Sequence, residues 1–222
     1  MQSETLKPVI NVLLVEDHPM FRERLATVIS KRGDMAVCGE ADNVNDALRC
    51  AESLHPDIAI VDITLRGSNG LDFLKDLKAR GIELPVLVLS MHDEAIYAER
   101  VLRAGARGYI TKYEASTEVM AAIEQVLNGE VYLSRQMTSR MLGRFAIGKK
   151  GGADDVSALT DRELDVFQRL GHGETARDIA SALHVGITTI DTYRARIKEK
   201  LGLKNGNELA RRAMEWVQEN PV

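Results

Sequence analysis

At 222 residues the chain is long for one domain and comfortable for two, and its 45% hydrophobic content gives each a core, which excludes a disordered chain. No run of about 18 apolar residues occurs, so no membrane span is expected. The start Met1-Gln2-Ser3-Glu4 lacks a secretory pattern, and Cys38 and Cys50 lack metal-ligand spacing, so a cytoplasmic protein with reduced thiols is expected. The net charge of –4 is uneven: residues 1–134 hold 14 Lys+Arg against 21 Asp+Glu, whereas residues 186–212 hold 7 against 3, a weak footprint for nucleic acid.

In chain order, Val12-Leu13-Leu14-Val15 is an unbroken apolar run ending at Glu16-Asp17. Helical spacing follows at Phe21, Leu25, Val28 and Ile29. A second strand is expected near Ala36-Val37-Cys38-Gly39, then a helix through Ala47, Leu48 and Ala51. Ile58-Ala59-Ile60-Val61 stops at Asp62, before a helix marked by Leu71, Leu74 and Leu77. Val86-Leu87-Val88-Leu89 stops at Ser90, before a helix at Tyr97, Val101 and Leu102. Gly108-Tyr109-Ile110-Thr111 stops at Lys112, and Met120, Ile123 and Val126 mark a fifth helix. Strands alternating with helices predict a parallel sheet with helices on both faces.

In such sheets ligands sit outside the carboxyl ends of the strands. Glu16, Asp17, Asp62, Ser90 and Lys112 are therefore expected to converge. Mg²⁺ takes near-octahedral oxygen ligands and keeps waters. Asp17 and Asp62 supply two carboxylates, the backbone carbonyl of Thr64 suits a third position, and Glu16 accepts from the waters. An aspartate beside such an ion can act as a nucleophile and form an aspartyl phosphate. Lys112 then pairs with phosphoryl oxygens and Ser90 donates to them. Acids merely ending strands is the plainer reading, and four matching strand ends disfavour it.

Residues 9–131 resemble the receiver domain of bacterial response regulators, on the strength of Glu16-Asp17, Asp62, Ser90 and Lys112 after successive strands. The resemblance implies catalytic roles for Asp62, Ser90 and Lys112, a switch made by Ser90 and Tyr109, and a sensor histidine kinase, or else a small phosphodonor, as the source of the phosphoryl group. Two positions depart from the pattern: Arg66 stands where proline is usual, and Tyr113 follows Lys112 where many receivers have proline.

Residues 134–157 change character. A short helix is expected from Arg135 to Phe145, then a glycine- and charge-rich linker, Gly148 to Asp155. The remainder is helical by pattern. Thr160-Asp161-Arg162-Glu163 is a capping box, and Thr175 to Asp178 is a second candidate cap. A third helix carries Ile190, Ile197 and Leu201, and a fourth carries Leu209, Ala210, Ala213, Met214 and Val217.

On the third helix Ile190, Ile197 and Leu201 share a core face. Thr189, Tyr193, Arg196 and Lys200 form a stripe beside it that suits phosphate oxygens. Thr188, Asp191, Thr192 and Ala195 point away, as base-reading residues would in a major groove; Asp191 can accept from cytosine N4 and Thr192 can touch a thymine methyl. Residues 158–218 resemble the four-helix LuxR-type helix-turn-helix module through Leu159-Thr160-Asp161-Arg162-Glu163, Ile179-Ala180, Thr189-Ile190 and Lys200-Leu201-Gly202-Leu203. Joined to a receiver it is similar to the NarL/FixJ subfamily. The resemblance implies a homodimer on a DNA operator, with Leu209, Ala213 and Met214 as a dimer surface; internal packing of those residues is the competing reading.

The expected architecture is α/β: a (βα)5 doubly wound parallel-sheet receiver, residues 8–133, a linker, 134–157, and a small all-α four-helix helix-turn-helix domain, 158–222. The expected function is a two-component regulator that uses Mg²⁺ and is switched by phosphorylation of Asp62. It would be an enzyme only toward its own phosphoryl group. A phosphatase using Asp62 as nucleophile is the alternative from a different class. Such enzymes often carry an acid two residues after the nucleophile, where this chain has Thr64. A DNA binder that ignores phosphorylation is the third reading, disfavoured by the complete acid, hydroxyl and lysine set.

Overall fold

The computed structural model describes residues 9–65, 68–91, 94–147 and 155–219. The chain divides into two compact units, Met1–Ser139 and Arg140–Val222.

The first unit contains, in order, β1 (Ile10–Val15), α1 (Pro19–Ser30), β2 (Met35–Ala41), α2 (Val44–Leu54), β3 (Ile58–Asp62), β4 (Thr64–Leu65), β5 (Ser68–Asn69), α3 (Gly70–Arg80), β6 (Val86–Ser90), α4 (Glu94–Ala104), β7 (Gly108–Thr111) and α5 (Ala115–Leu127). Helix α6 (Arg135–Ile147) crosses the division between units, so the first unit takes in Ser134 to Ser139. Five strands form one parallel sheet in the order β2-β1-β3-β6-β7. The apolar runs read in the sequence are its inner strands, buried on both faces as parallel strands are. Along β1, Val12 and Leu14 join a core with Leu25 and Ile29 of α1 and Val119, Ile123 and Val126 of α5. The pleat turns the alternate residues Leu13 and Val15 to the opposite face.

The strand order places the site. The chain leaves β1 for β2 on one side and returns as β3 on the other, so β1 and β3 flank the topological switch point. Val15 pairs with Val61, which brings Glu16 beside Asp62. Asp62 pairs with Leu89, and Ser90 with Thr111.

Two features have no counterpart in the sequence reading. Thr64–Leu65 and Ser68–Asn69 form a small antiparallel ladder that turns the chain back over the end of β3; Arg66, singled out above, lies between them and outside the described residues. Beyond α5, Tyr132 bridges to the edge of the sheet: Tyr109 N donates to Tyr132 O and Tyr132 N to Arg107 O, both at 3.0 Å. Ser134 N then donates to Glu94 Oε1 at 2.8 Å, and Met137 of α6 is buried.

The second unit holds a 3-10 turn (Asp155–Ala158), then α7 (Asp161–Gly171), α8 (Ala176–Ala182), α9 (Ile187–Leu201) and α10 (Gly206–Glu219). Both caps read from the sequence form as capping boxes, Thr160 with Glu163 and Thr175 with Asp178. Helix α7 packs on α10. Phe167 and Trp216 meet edge to face at 5.9 Å between ring centres. At Gly171 a Cβ would lie 2.5 Å from the Ala213 carbonyl oxygen, so only glycine admits this approach. Among the described residues no helix is long and apolar enough to cross a membrane.

Candidate functional site

Sequence-distant residues meet at the carboxyl ends of β1, β3, β6 and β7. Lys112 Nζ lies 2.7 Å from Glu16 Oε2 and 2.7 Å from Asp62 Oδ2. All three side chains are nearly sealed from solvent, and the Phe21 ring covers the ammonium at 4.7 Å. Asp62 Oδ1 accepts from Thr64 N at 3.2 Å. Ser90 is fully buried beside this group, and its carbonyl accepts from Lys112 N at 2.8 Å, which ties the ends of β6 and β7 together.

Charge sets the chemistry of this cluster. Burial, the largest influence, and the charge of Glu16 lift the Asp62 carboxyl to about 7, against the pull of Lys112. Burial would lower the Lys112 ammonium, but Asp62 and Glu16 outweigh it and hold it above its usual value.

Asp17 completes the acid group. Its side chain is 10% exposed, and its Oδ1 is buried without a hydrogen bond. His18 Nδ1 comes within 3.0 Å of that oxygen at an angle that makes no hydrogen bond. Glu16, Asp17, His18 and Asp62 each offer one ligand atom, all within 4.8 Å of one another. A buried acceptor left unpaired among carboxylates is the mark of a place for a cation. The residues present fit a divalent ion.

The sequence reading did not single out three supports of this site. His18 stands among the acids, with its backbone N donating to Glu16 Oε1 at 3.0 Å. Asn69 is buried and caps α3, accepting from Leu71 N at 2.8 Å. A Cβ on Gly70 would meet the Asp62 carbonyl oxygen at 2.1 Å. The Asn69-Gly70 pair is the one signal that marks this close turn. Tyr109 is buried at 0% exposure, deeper than a half-buried edge aromatic, whereas Tyr113 is 72% exposed.

In the second unit, α9 presents a polar face. Thr188, Asp191, Thr192, Ala195 and Arg196 are exposed, Thr189 and Tyr193 are half-buried, and Ile190 and Ile197 are core. Three charges on this helix are already engaged. Lys200 Nζ lies 2.6 Å from Glu163 Oε2 and donates to Ala158 O at 3.2 Å. Burial pushes Glu163 up, but Lys200 and the Thr160 amide outweigh it, so its carboxyl stays below the usual range. Arg194 pairs with Asp191 at 3.3 Å. Of the residues expected at a dimer surface, Leu209 and Ala213 are 1% and 0% exposed, within the unit's own core, where α10 packs on α7; Met214, at 46%, is open. Internal packing accounts for the first two.

Comparison with known proteins agrees with both halves. Residues 12–124 match the family model of the response regulator receiver domain, and residues 157–213 match that of bacterial regulatory proteins of the luxR family. The chain is 33% identical over 198 residues to BvgA of Bordetella pertussis, covering 89% of this chain and 93% of that protein. It is 29% identical over 211 residues to the nitrate/nitrite response regulator protein NarL of Escherichia coli strain K12, covering 95% and 96%. A LuxR-family two-component response regulator from Aurantimonas superposes with a TM-score of 0.58 at 30% identity, over 62% of this chain and 99% of that one. RcsB of Salmonella enterica, solved on promoter rprA with the phosphomimetic BeF3–, shares the fold with a TM-score of 0.59 at 23% identity, over 91% of this chain and 97% of that one. The chain belongs to the response regulators that join a receiver domain to a LuxR-type DNA-binding domain, the family of the transcription regulators NarL and BvgA.

Proposed function

We propose that a sensor histidine kinase phosphorylates Asp62 and that this switches the regulator's binding to a double-stranded DNA operator. The observation that carries the reading is the meeting of Glu16, Asp62 and Lys112, three charged groups from three strand ends, at 2.7 Å contacts in a closed pocket. A carboxylate oxygen of Asp62 attacks the phosphorus of a phosphohistidine. The new P–O bond forms as the P–N bond breaks, and the histidine leaves. Lys112 Nζ pairs with phosphoryl oxygens and Ser90 Oγ donates to one. Mg²⁺, when bound, would offset the repulsion between carboxylate and phosphate; Asp17, Asp62 and the Thr64 carbonyl would hold it and Glu16 would accept from its waters. Ser90 moving toward the phosphate, with Tyr109 following, is the switch. A typical allosteric coupling is about 1–3 kcal/mol.

Helix α9 is the reader. Arg196, Thr189 and Tyr193 lie where phosphate oxygens pass, and Thr188, Asp191 and Thr192 face base edges. Lys200 contacts phosphate only if it leaves Glu163. Gly186 gives α9 no side-chain cap; the Thr189 and Ile190 amides bond its carbonyl, and those of Ile187 and Thr188 remain for phosphate. A homodimer on DNA, with exposed Met214 at its seam, and a cytoplasmic location complete the reading. Thr64 occupies the position where an acid would assist the leaving group, which disfavours turnover of other phosphomonoesters.

Acetyl phosphate labelling tests the assignment. The wild-type chain takes up one phosphoryl group and Asp62→Asn takes up none; a label retained elsewhere after that substitution overturns it. A pH dependence follows as well. With the Asp62 carboxyl at about 7, the ion-free folded state holds a proton that the unfolded state releases above about 3.8. The ion-free receiver therefore loses stability as pH rises across that window. Mg²⁺ binding needs the carboxylate, so its affinity rises with pH to about 7 and then levels. Calorimetry in two buffers of different ionisation enthalpy measures the proton released; an affinity flat from about pH 5.5 to 8 speaks against it.

A further inference from the structure

We propose that His18 is a nitrogen ligand of the cation pocket and biases it toward divalent metals that accept nitrogen, such as Mn²⁺, over Mg²⁺. This rests on the cation reading of the acid cluster and adds the residue that sets metal preference. One imidazole nitrogen faces both acids. Nδ1 lies 3.0 Å from Asp17 Oδ1 and 3.2 Å from Glu16 Oε1. Adjacent ligands of an octahedral ion with bonds of ~2.1 Å stand about 3 Å apart. The separation of Nδ1 from Asp17 Oδ1 matches that spacing.

Asp17 Oδ1 is the buried oxygen that accepts no hydrogen bond, and its side chain is nine-tenths buried. An unpaired oxygen facing an imidazole nitrogen at ligand spacing is the second, independent sign of an ion between them. As a ligand Nδ1 is unprotonated and Nε2 carries the ring hydrogen, on a side chain that is 69% exposed.

The backbone holds the ring in place. His18 is the N-cap residue of α1, and its carbonyl accepts from Phe21 N and Arg22 N. Its side chain makes no cap bond, although it stands at the capping position. Its backbone N is bound to Glu16 Oε1, so the ring leans on the acid pair instead. Oxygen-only sites suit Mg²⁺; an imidazole nitrogen suits the first-row transition metals, so one added nitrogen shifts the preference.

The test uses the full chain and its His18→Gln variant, with Mn²⁺ and Mg²⁺ titrated separately by calorimetry and bound Mn²⁺ read by electron spin-echo envelope modulation. The wild type is expected to show nitrogen-14 modulation on Mn²⁺ and the variant none. The preference for Mn²⁺ over Mg²⁺ is expected to fall about tenfold in the variant. Nitrogen modulation absent from the wild type, or an unchanged preference, overturns the role of His18 while leaving the cation pocket standing. Failure of both ions to bind the wild type at millimolar concentration removes the pocket reading and this inference together.

Discussion

Lys112→Met is expected to slow phosphoryl uptake from acetyl phosphate by about a hundredfold, the usual cost of losing one preorganised donor at a developing charge. Lys112 is the one cation in contact with both Glu16 and Asp62 among the described residues, and each contact is 2.7 Å. Methionine keeps the stem under Phe21 and removes the charge. Glu16 and Asp62 then lie buried without their cation, at a cost of about 3 kcal/mol in the ion-free protein once Asp62 is ionised. That loss shrinks as pH falls through about 7, where a shared proton takes the place of the ammonium, and shrinks again with Mg²⁺. Urea unfolding with and without the ion, beside the labelling rate, reads both effects. An uptake rate within threefold of wild type would mean that Lys112 neutralises the acids and does nothing for the phosphoryl group.

The stripe on α9 is expected to split into two behaviours. Arg196 is exposed and free to meet a phosphate, so Arg196→Ala lowers operator affinity about tenfold and reduces the slope of log affinity against log salt by about 0.9. Lys200 is tied to Glu163, which is buried and anchors the capping box of α7. Lys200→Met leaves that carboxylate with the Thr160 amide but no cation and costs the second unit about 1–3 kcal/mol. Operator affinity of the folded fraction then changes little, and so does its salt slope. Binding isotherms at four salt concentrations, with thermal unfolding of each variant, separate the two. A slope reduced equally by both substitutions would show that Lys200 abandons Glu163 for phosphate on DNA.

The receiver was legible because its strands are buried on both faces. A parallel inner strand must be an unbroken apolar run, so the first polar residue after it names the site. Glu16, Asp62 and Ser90 were readable in that way, Lys112 only as the residue after a shorter edge strand, and the switch point that gathers them follows from alternating strands and helices. The ladder around residues 64–69 was not legible, because two-residue strands carry no periodicity. Asn69 and Gly70 read as an ordinary turn, and their closeness to Asp62 depends on a fold-back that spacing does not encode. His18 was invisible for a related reason: its side chain looks like a solvent-facing N-cap until the acids are seen around it. On α10, Leu209, Ala213 and Met214 share an apolar stripe, but a stripe does not say whether it meets its own chain or another. Gly171 allows α7 to come close enough to take the first two. On α9, periodicity placed Lys200 beside Arg196 but said nothing of Glu163, thirty-seven positions earlier.

The bridge made by Tyr132 bears on how this molecule avoids sticking to itself. Outer strands invite a stranger's backbone, since their unpaired amides and carbonyls template another strand. At Arg107 and Tyr109 those groups are already spent on Tyr132. An extended peptide or a neighbouring copy finds no ladder to lengthen there. Association on that flank has to use the side chains of helices instead, which a moving helix can expose or withdraw in a way that a bare backbone edge cannot.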